Sequence, residues 1–462
     1  MLRFCSLVVF VAAVGAQPVD WILSAGHVVT MDAQRRVIRD GAVAVRGDEV
    51  VAVGTRAEVD KQFQAKQRID NPQAILTPGL INTHTHVPMA LMRGIADDLR
   101  LQEWLDKFIF PAEAKNVSLD FVRDGTWLAC VEMLLSGTTT FADMYYFEKA
   151  IADATVACGM RGVLGQTIIG FPVADAKTPE AGLKLAESFL RSYSRHRLIV
   201  PAVAPHAIYT NSEATLQACR KLADSYGVPL LIHLSETKKE NDDIRSKYGA
   251  SPTQVLDRWG ILTGRTLAAH GVWIDGADMK ILAKRGVGVA HCPSSNTKLA
   301  SGVAPVLDYL KAGVALGLGT DGPAGSNNDL NLFEEMDLAA KLQKVHTGDP
   351  TAVSARQSFE MATINGARAL GLEKEIGSIE KGKRADLIFI NIAAPHAQPM
   401  YDVYSALVYA LKGSDVQHVM VNGSLVVRDR KVLTIDENMV LKRAEQWRTK
   451  ISASLATPQP GK

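Results

Sequence analysis

The rhythm of apolar and polar positions along this chain changes twice. From about 17 to 76 the pattern alternates in short runs, Asp20 to Met31 and Gly41 to Val53, with Gly47-Asp48 as a turn. Alternation sends successive side chains to opposite faces, so this stretch reads as a small β unit. Between Thr77 and Gly377 short apolar runs alternate with longer stretches of helical period, the pattern of parallel βα units. Eight such runs are present: Gly79 to Val87, Thr138 to Met144, Arg161 to Thr167, Leu198 to Pro205, Pro229 to Ser235, Thr266 to His270, Val287 to His291 and Val314 to Asp321. The helices between them carry their own punctuation. Ser118 is placed to cap a helix that runs to Ser136 before Gly137, and Ser212 one that runs to Tyr226 before Gly227. Beyond 380 the β character returns in Ala385 to Ile390 and Val416 to Val427, with Asn422-Gly423 as a tight turn. The chain therefore reads as α/β: a (β/α)8 TIM barrel over 77–380, flanked by a small β-sandwich from both chain ends, 17–76 and 381–435, with a C-terminal helix and tail over 436–462.

Composition narrows the ligand more than the fold. At 462 residues, 47% hydrophobic and 22% charged, the chain is long enough for a large core plus a smaller unit. A net charge of +2 and the lack of a Lys/Arg run argue against nucleic acid and for a small-molecule substrate. The Leu-rich stretch Phe333 to Leu342 could serve a homo-oligomer interface or the core equally well.

Residues 1–16 stand apart. Arg3 precedes an apolar run from Phe4 to Val14, then Gly15 and Ala16 supply the small residues at which a signal peptidase cuts. The run is too short to span a bilayer. A cleaved export signal is expected, giving a periplasmic or secreted product with no membrane segment, and a cytoplasmic enzyme is the alternative. The five cysteines, Cys5, Cys130, Cys158, Cys219 and Cys292, form no close pair in sequence, so neither a zinc knuckle nor a disulfide framework is expected.

The chemistry gathers at the predicted strand ends. In Pro78-Gly-Leu-Ile-Asn-Thr-His84-Thr-His86, two histidines two residues apart project to one face beyond a strand, which is metal-ligand spacing. Of eleven histidines, His206, His233, His270 and His291 stand at later strand ends, and Asp321 closes the last strand. A barrel places its chemistry at these C-terminal ends.

The segments PGLINTHTH, HLSET (233–237), AAHGVW (268–273), AHCPSSNTKLASGVAP (290–305) and GTDGPAGSNNDLNLFEEM (319–336) resemble the amidohydrolase superfamily. Within it the resemblance is to 5-methylthioadenosine/S-adenosylhomocysteine deaminases, near triazine hydrolases and guanine deaminases, and it extends over nearly everything after residue 18. Three departures stand out: the export-like start, Cys292 where the motif has Asn, and an extra Gly325. The resemblance implies that His84, His86, His233 and Asp321 bind one divalent metal, Zn2+ or alternatively Fe2+. Three imidazoles, a carboxylate and an open water position are the layout of a catalytic site. Two-metal relatives use a lysine at the end of strand four, and Leu198 to Pro205 contains none, so a single metal is expected. Glu236, just past His233, is expected to carry a proton to the substrate, with His270 and Asp321 taking the proton of the attacking water. Glu113, Arg161 and His206 are expected to contact the sugar, the tail and the base. The implied activity is hydrolytic deamination of a purine nucleoside. Another amidohydrolase acting on guanine, a pterin or a triazine is the alternative, and a non-catalytic relative would have been expected to lose ligands.

Overall fold

The structure is a computed structural model and describes residues 16–456. Residues 1–15, most of the expected export signal, lie outside it.

The eight central runs close into a parallel barrel in chain order: Leu80–Thr85, Thr138–Tyr145, Arg161–Ile168, Ile199–Pro205, Leu230–Leu234, Thr266–His270, Gly288–His291 and Leu316–Leu318. These strands are buried on both faces, which is why they read as short, mostly apolar or small-residue runs without strict alternation. The helices begin where the sequence offers side-chain caps. Ser118 Oγ accepts from Phe121 N at 3.3 Å and starts Leu119–Leu135, and Ser212 Oγ accepts from Thr215 N at 3.1 Å and starts Glu213–Tyr226, which Gly227 ends. Helix Leu332–Thr347 turns Leu332, Phe333, Met336, Ala339 and Ala340 into the chain's own core.

The two chain ends form one hydrogen-bonded sheet of eight strands. Gln17–Val29, Val37–Arg46, Glu49–Thr55 and Phe63–Pro78 come from the N-terminal side, and Leu387–Asn391, Val416–Val421, Ser424–Arg428 and Lys431–Val432 from the C-terminal side. The halves join where Leu387–Asn391 runs antiparallel to Phe63–Pro78, with Leu387 opposite Pro78 and Ile390 opposite Ile75. Trp21, Leu23, Val43, Leu76, Phe389 and Met420 give this unit an apolar core of its own. Phe63–Pro78 leads directly into the first barrel strand, so the sheet anchors the start of the strand that carries His84. Helix Glu437–Ala456 follows and packs Trp447 edge-on against Phe121 at 5.3 Å.

Arg161 belongs to this joint, which corrects its expected place in the substrate site. It opens the third barrel strand, at the end opposite the catalytic face. Its Nε and one terminal nitrogen donate to Asp386 Oδ2 and Oδ1 at 3.0 and 3.2 Å, and the other terminal nitrogen to the Arg197 carbonyl at 3.1 Å. The pair is buried, with side chains 4% and 3% exposed. Removing one partner strands a charge in the interior, which costs about 3–5 kcal/mol. Arg161→Ala is therefore expected to lower the denaturant midpoint strongly while KM stays within about twofold of wild type. A raised KM at unchanged stability would return Arg161 to the substrate site.

Candidate active site

Most of the predicted strand ends deliver a side chain to one cavity at the C-terminal face of the barrel, but the buried His291, which closes the seventh strand, is not among its lining residues. His86, His206, His233, Glu236, His270 and Asp321 all line it, together with Glu113 from the segment after the first strand. About 600 Å3 of non-protein space, part of it open to solvent, lies among these side chains. Backbone hydrogen bonds tie neighbouring strand ends together: Asp321 N donates to His84 O at 2.9 Å, His233 N to His206 O at 3.0 Å and His206 N to Ile168 O at 3.0 Å. Ser235, His270 and Asp321 have φ of +50°, +73° and +64°. Non-glycine residues in this region cost on the order of 1–3 kcal/mol each, and such strain clusters at functional sites.

The imidazoles are oriented by their outer nitrogens. His86 Nδ1 donates to Met144 O at 2.7 Å and His233 Nδ1 to His206 O at 2.8 Å, which leaves both Nε2 atoms free to face inward. His84 Nε2 is buried without a hydrogen-bond partner among the described residues. It lies 3.4 Å from Asp321 Oδ1, and His86 Nε2 lies 3.3 Å from the same oxygen. Donor atoms of His84, His86 and Asp321 fall within 4.8 Å of one another, as do those of His84, His233 and His270. An orphaned imidazole nitrogen at the focus of this set is a fit for a cation, and three imidazoles with a carboxylate suit a divalent transition metal.

Burial keeps three of the rings neutral. Burial pushes His84 down to about 4 and His206 down to about 3, and drives His233 well below its usual value, so these rings stay neutral. His86 is also pushed down by burial, but the Asp321 carboxylate carries it up to about 9. Asp321 resists the upward push of burial through His84 and His86, which hold it well below the usual carboxylate range. Its second oxygen accepts from Ser295 Oγ at 2.7 Å, and Gly322 N donates to Oδ1 at 2.7 Å.

Glu236 is 4% exposed, and its Oε2 stands 3.8 Å from His270 Nε2. Burial raises its carboxyl above the usual range, partly offset by His270, as suits a group that must hold a proton until it is needed. His270 Nδ1 is 3.0 Å from Asn296 Oδ1, so the ring is fixed from behind. Glu113 sits in helix Phe110–Asn116 and accepts from Tyr145 Oη at 2.6 Å. Burial pushes it up to about 7, against the pull of that hydroxyl.

Ser295, Asn296, Tyr145 and Glu240 were not expected from the sequence. Glu240 accepts from Ser235 N at 2.9 Å and from Glu236 N at 2.8 Å, holding the turn that presents Glu236. Thr237-x-x-Glu240 before a helix is a capping-box pattern, and that signal could have found it. Ser295 and Asn296 lie inside the quoted AHCPSSN segment, without any feature of spacing to mark them.

A barrel that gathers histidines, Asp321 and the buried Glu236 at its strand ends has the layout of a metal-dependent hydrolase. The amidohydrolase family model matches residues 75–426, and the chain belongs to that family. It is 47% identical over 436 residues, 94% of this chain and 99% of the other, to a 5-methylthioadenosine/S-adenosylhomocysteine deaminase from Thermodesulfovibrio yellowstonii. To a deaminase of the same name from Syntrophus aciditrophicus it is 43% identical over 440 residues, 95% of this chain and 99% of that one. The zinc-bound crystal structure of an adenosine deaminase from Xanthomonas campestris matches with a TM-score of 0.93 at 40% identity, covering 95% of this chain and 100% of that one. A zinc complex of atrazine chlorohydrolase from Arthrobacter aurescens shares the fold, with a TM-score of 0.85 at 24% identity over 93% of this chain and 100% of that one.

Proposed function

We propose that this protein is a hydrolytic deaminase that converts the 6-amino group of adenosine-type nucleosides, 5′-methylthioadenosine and S-adenosylhomocysteine, to the inosine form with release of ammonia. The observation that carries the chemistry is a buried proton carrier, Glu236, facing a convergent His/Asp donor set across one cavity. His84, His86, His233 and Asp321 are the proposed ligands. Zinc is the proposed ion, by analogy with the Xanthomonas campestris structure, and Fe2+ suits the same donors. A divalent cation there supplies Lewis acidity, lowering the pKa of a water from 15.7 towards about 7.

The chain's own groups do the rest. His270, steadied by Asn296, and Asp321 accept the proton of the attacking water. Glu236 protonates the ring nitrogen beside the carbon under attack, so that negative charge does not build on the purine. Collapse of that carbon's tetrahedral state then expels ammonia: the proton taken from the water passes to the leaving amine, and the added hydroxyl gives up its own proton to Glu236 as it becomes the oxo group. Glu113, in the segment after the first strand, accepts hydrogen bonds from the two ribose hydroxyls in a bidentate arrangement, and His206 contacts the base or sugar.

Ammonia release from a panel of adenosine derivatives, adenine, guanine, pterins and triazines tests the substrate class. 5′-Methylthioadenosine is expected to be deaminated far better than adenine, and Glu113→Ala to lose that preference selectively. A buried carboxylate without its diol costs on the order of 1–3 kcal/mol, so the discrimination is roughly tenfold to a hundredfold. Equal kcat/KM for the two substrates in the wild-type enzyme would rule the assignment out.

We also propose that the enzyme is exported, on the strength of Arg3, the apolar run from Phe4 to Val14 and Ala16. No helix among the described residues is long and apolar enough to cross a membrane. Intact-mass measurement on protein from its native cell is expected to give a chain beginning at or near Gln17; a full-length mass would argue for the cytoplasm.

A further inference from the structure

Gly325, the extra residue of the loop after the eighth barrel strand, has no part in the chemistry above, yet the structure places it at a crowded junction. Its φ is +109°, and a methyl group there would lie 2.2 Å from Ala96 O and 2.4 Å from Trp104 Nε1. Only glycine fits both the backbone and the space. Two loops of the catalytic face meet at this point. One carries Asp321. The other follows the first strand and forms the roof of the cavity through Leu101, Trp104, Leu105 and Glu113.

Polar contacts pin the junction. Trp104 Nε1 donates to Ala324 O at 2.9 Å. Lys298, from helix Pro293–Lys298 after the seventh strand, donates to Gly325 O at 2.9 Å and pairs with the Asp97 carboxylate, which also accepts from Asn328 Nδ2 at 3.0 Å. Three separate loops thus converge on the residue the familiar motif lacks. A π-helical turn, Leu105–Ile109, begins immediately after Trp104, a distortion that recurs at functional sites. Trp104 is 5% exposed and lines the cavity, where an aromatic side chain suits a heteroaromatic ring.

We propose that Gly325 and Lys298 are positioning residues that act through Trp104: they dock the roof onto the strand-eight loop so that the indole stands against the bound substrate. The inference rests on the proposed function only for its assay substrate. Steady-state kinetics on Gly325→Ala, Lys298→Met, Lys298→Arg and Trp104→Phe test it. Lys298→Met is expected to raise KM about tenfold, with kcat within about threefold and metal content unchanged, because ground-state binding is lost while the reacting groups stay in place. Lys298→Arg keeps the charge and is expected to recover most of the loss. Trp104→Phe keeps a ring but loses the N–H donor, and the double variant with Lys298→Met is expected to be no worse than either alone, as for residues that act as a unit. Gly325→Ala is expected to exceed all of these in KM. Lys341→Met, which removes an i,i+4 ion pair to Asp337 within helix Leu332–Thr347, serves as the unaffected control.

Unchanged KM in both Lys298→Met and Gly325→Ala overturns the proposal. So does a joint fall of kcat and metal content, which would make the junction scaffolding for Asp321. A wild-type enzyme inert on nucleosides but active on another amine of the panel overturns the substrate assignment instead, and the same variants are then read on that amine.

Discussion

Glu236→Gln is expected to keep its full complement of metal and its fold while losing roughly 10²- to 10⁴-fold in kcat, about 3–5 kcal/mol of transition-state stabilisation. The substitution is nearly isosteric and leaves the proposed ligands untouched, but an amide cannot deliver a proton to the purine ring. Instability is a poor alternative explanation for such a loss. Burial already disfavours the ionised form of Glu236, and a neutral amide relieves that cost. Thermal unfolding of the variant is therefore expected at or above the wild-type temperature. Near wild-type kcat with normal zinc content would remove Glu236 from the mechanism and leave His270 as the strongest proton carrier in the cavity.

Glu236 also shows what was and was not legible in the chain. Its position just after His233 made it a candidate. The structure gives the backbone-holding task to Glu240, four residues on, and leaves Glu236 buried in the cavity. The barrel strands were legible because burial on both faces makes each one a short apolar run, and a histidine ending such a run stands out. Arg161 entered the expected site through the family resemblance alone, although it opens its strand, at the end away from the chemistry. Its partner Asp386 is 225 positions away, and long-range pairs leave no periodic trace in sequence. Tyr145 and Trp104 were invisible for another reason, since aromatic residues in apolar segments read as ordinary core until the cavity they border is known.

Removing the metal is expected to abolish turnover altogether and to weaken the fold. The donor set explains both effects. His84, His233 and Asp321 are each 5% exposed or less, and each is buried at a strand end where its neighbours are tied by backbone hydrogen bonds. Dialysis against a chelator leaves a carboxylate and several imidazoles packed together with only their mutual contacts to balance them. A cation that binds the native state alone stabilises it by about 4 kcal/mol when present at a thousand times its dissociation constant, so the apo-protein is expected to melt several degrees lower. Zinc added back is expected to restore both activity and melting temperature, with saturation at one equivalent per chain. That stoichiometry follows from the fourth strand, Ile199–Pro205, which carries no lysine to bridge a second ion. His84→Ala is expected to copy the chelated enzyme and to resist rescue, because it removes a buried Nε2 that has no hydrogen-bond partner among the described residues and lies 3.4 Å from Asp321 Oδ1. Saturation at two equivalents would overturn the single-metal reading, and a chelated enzyme with undiminished turnover would overturn the metal-dependent one.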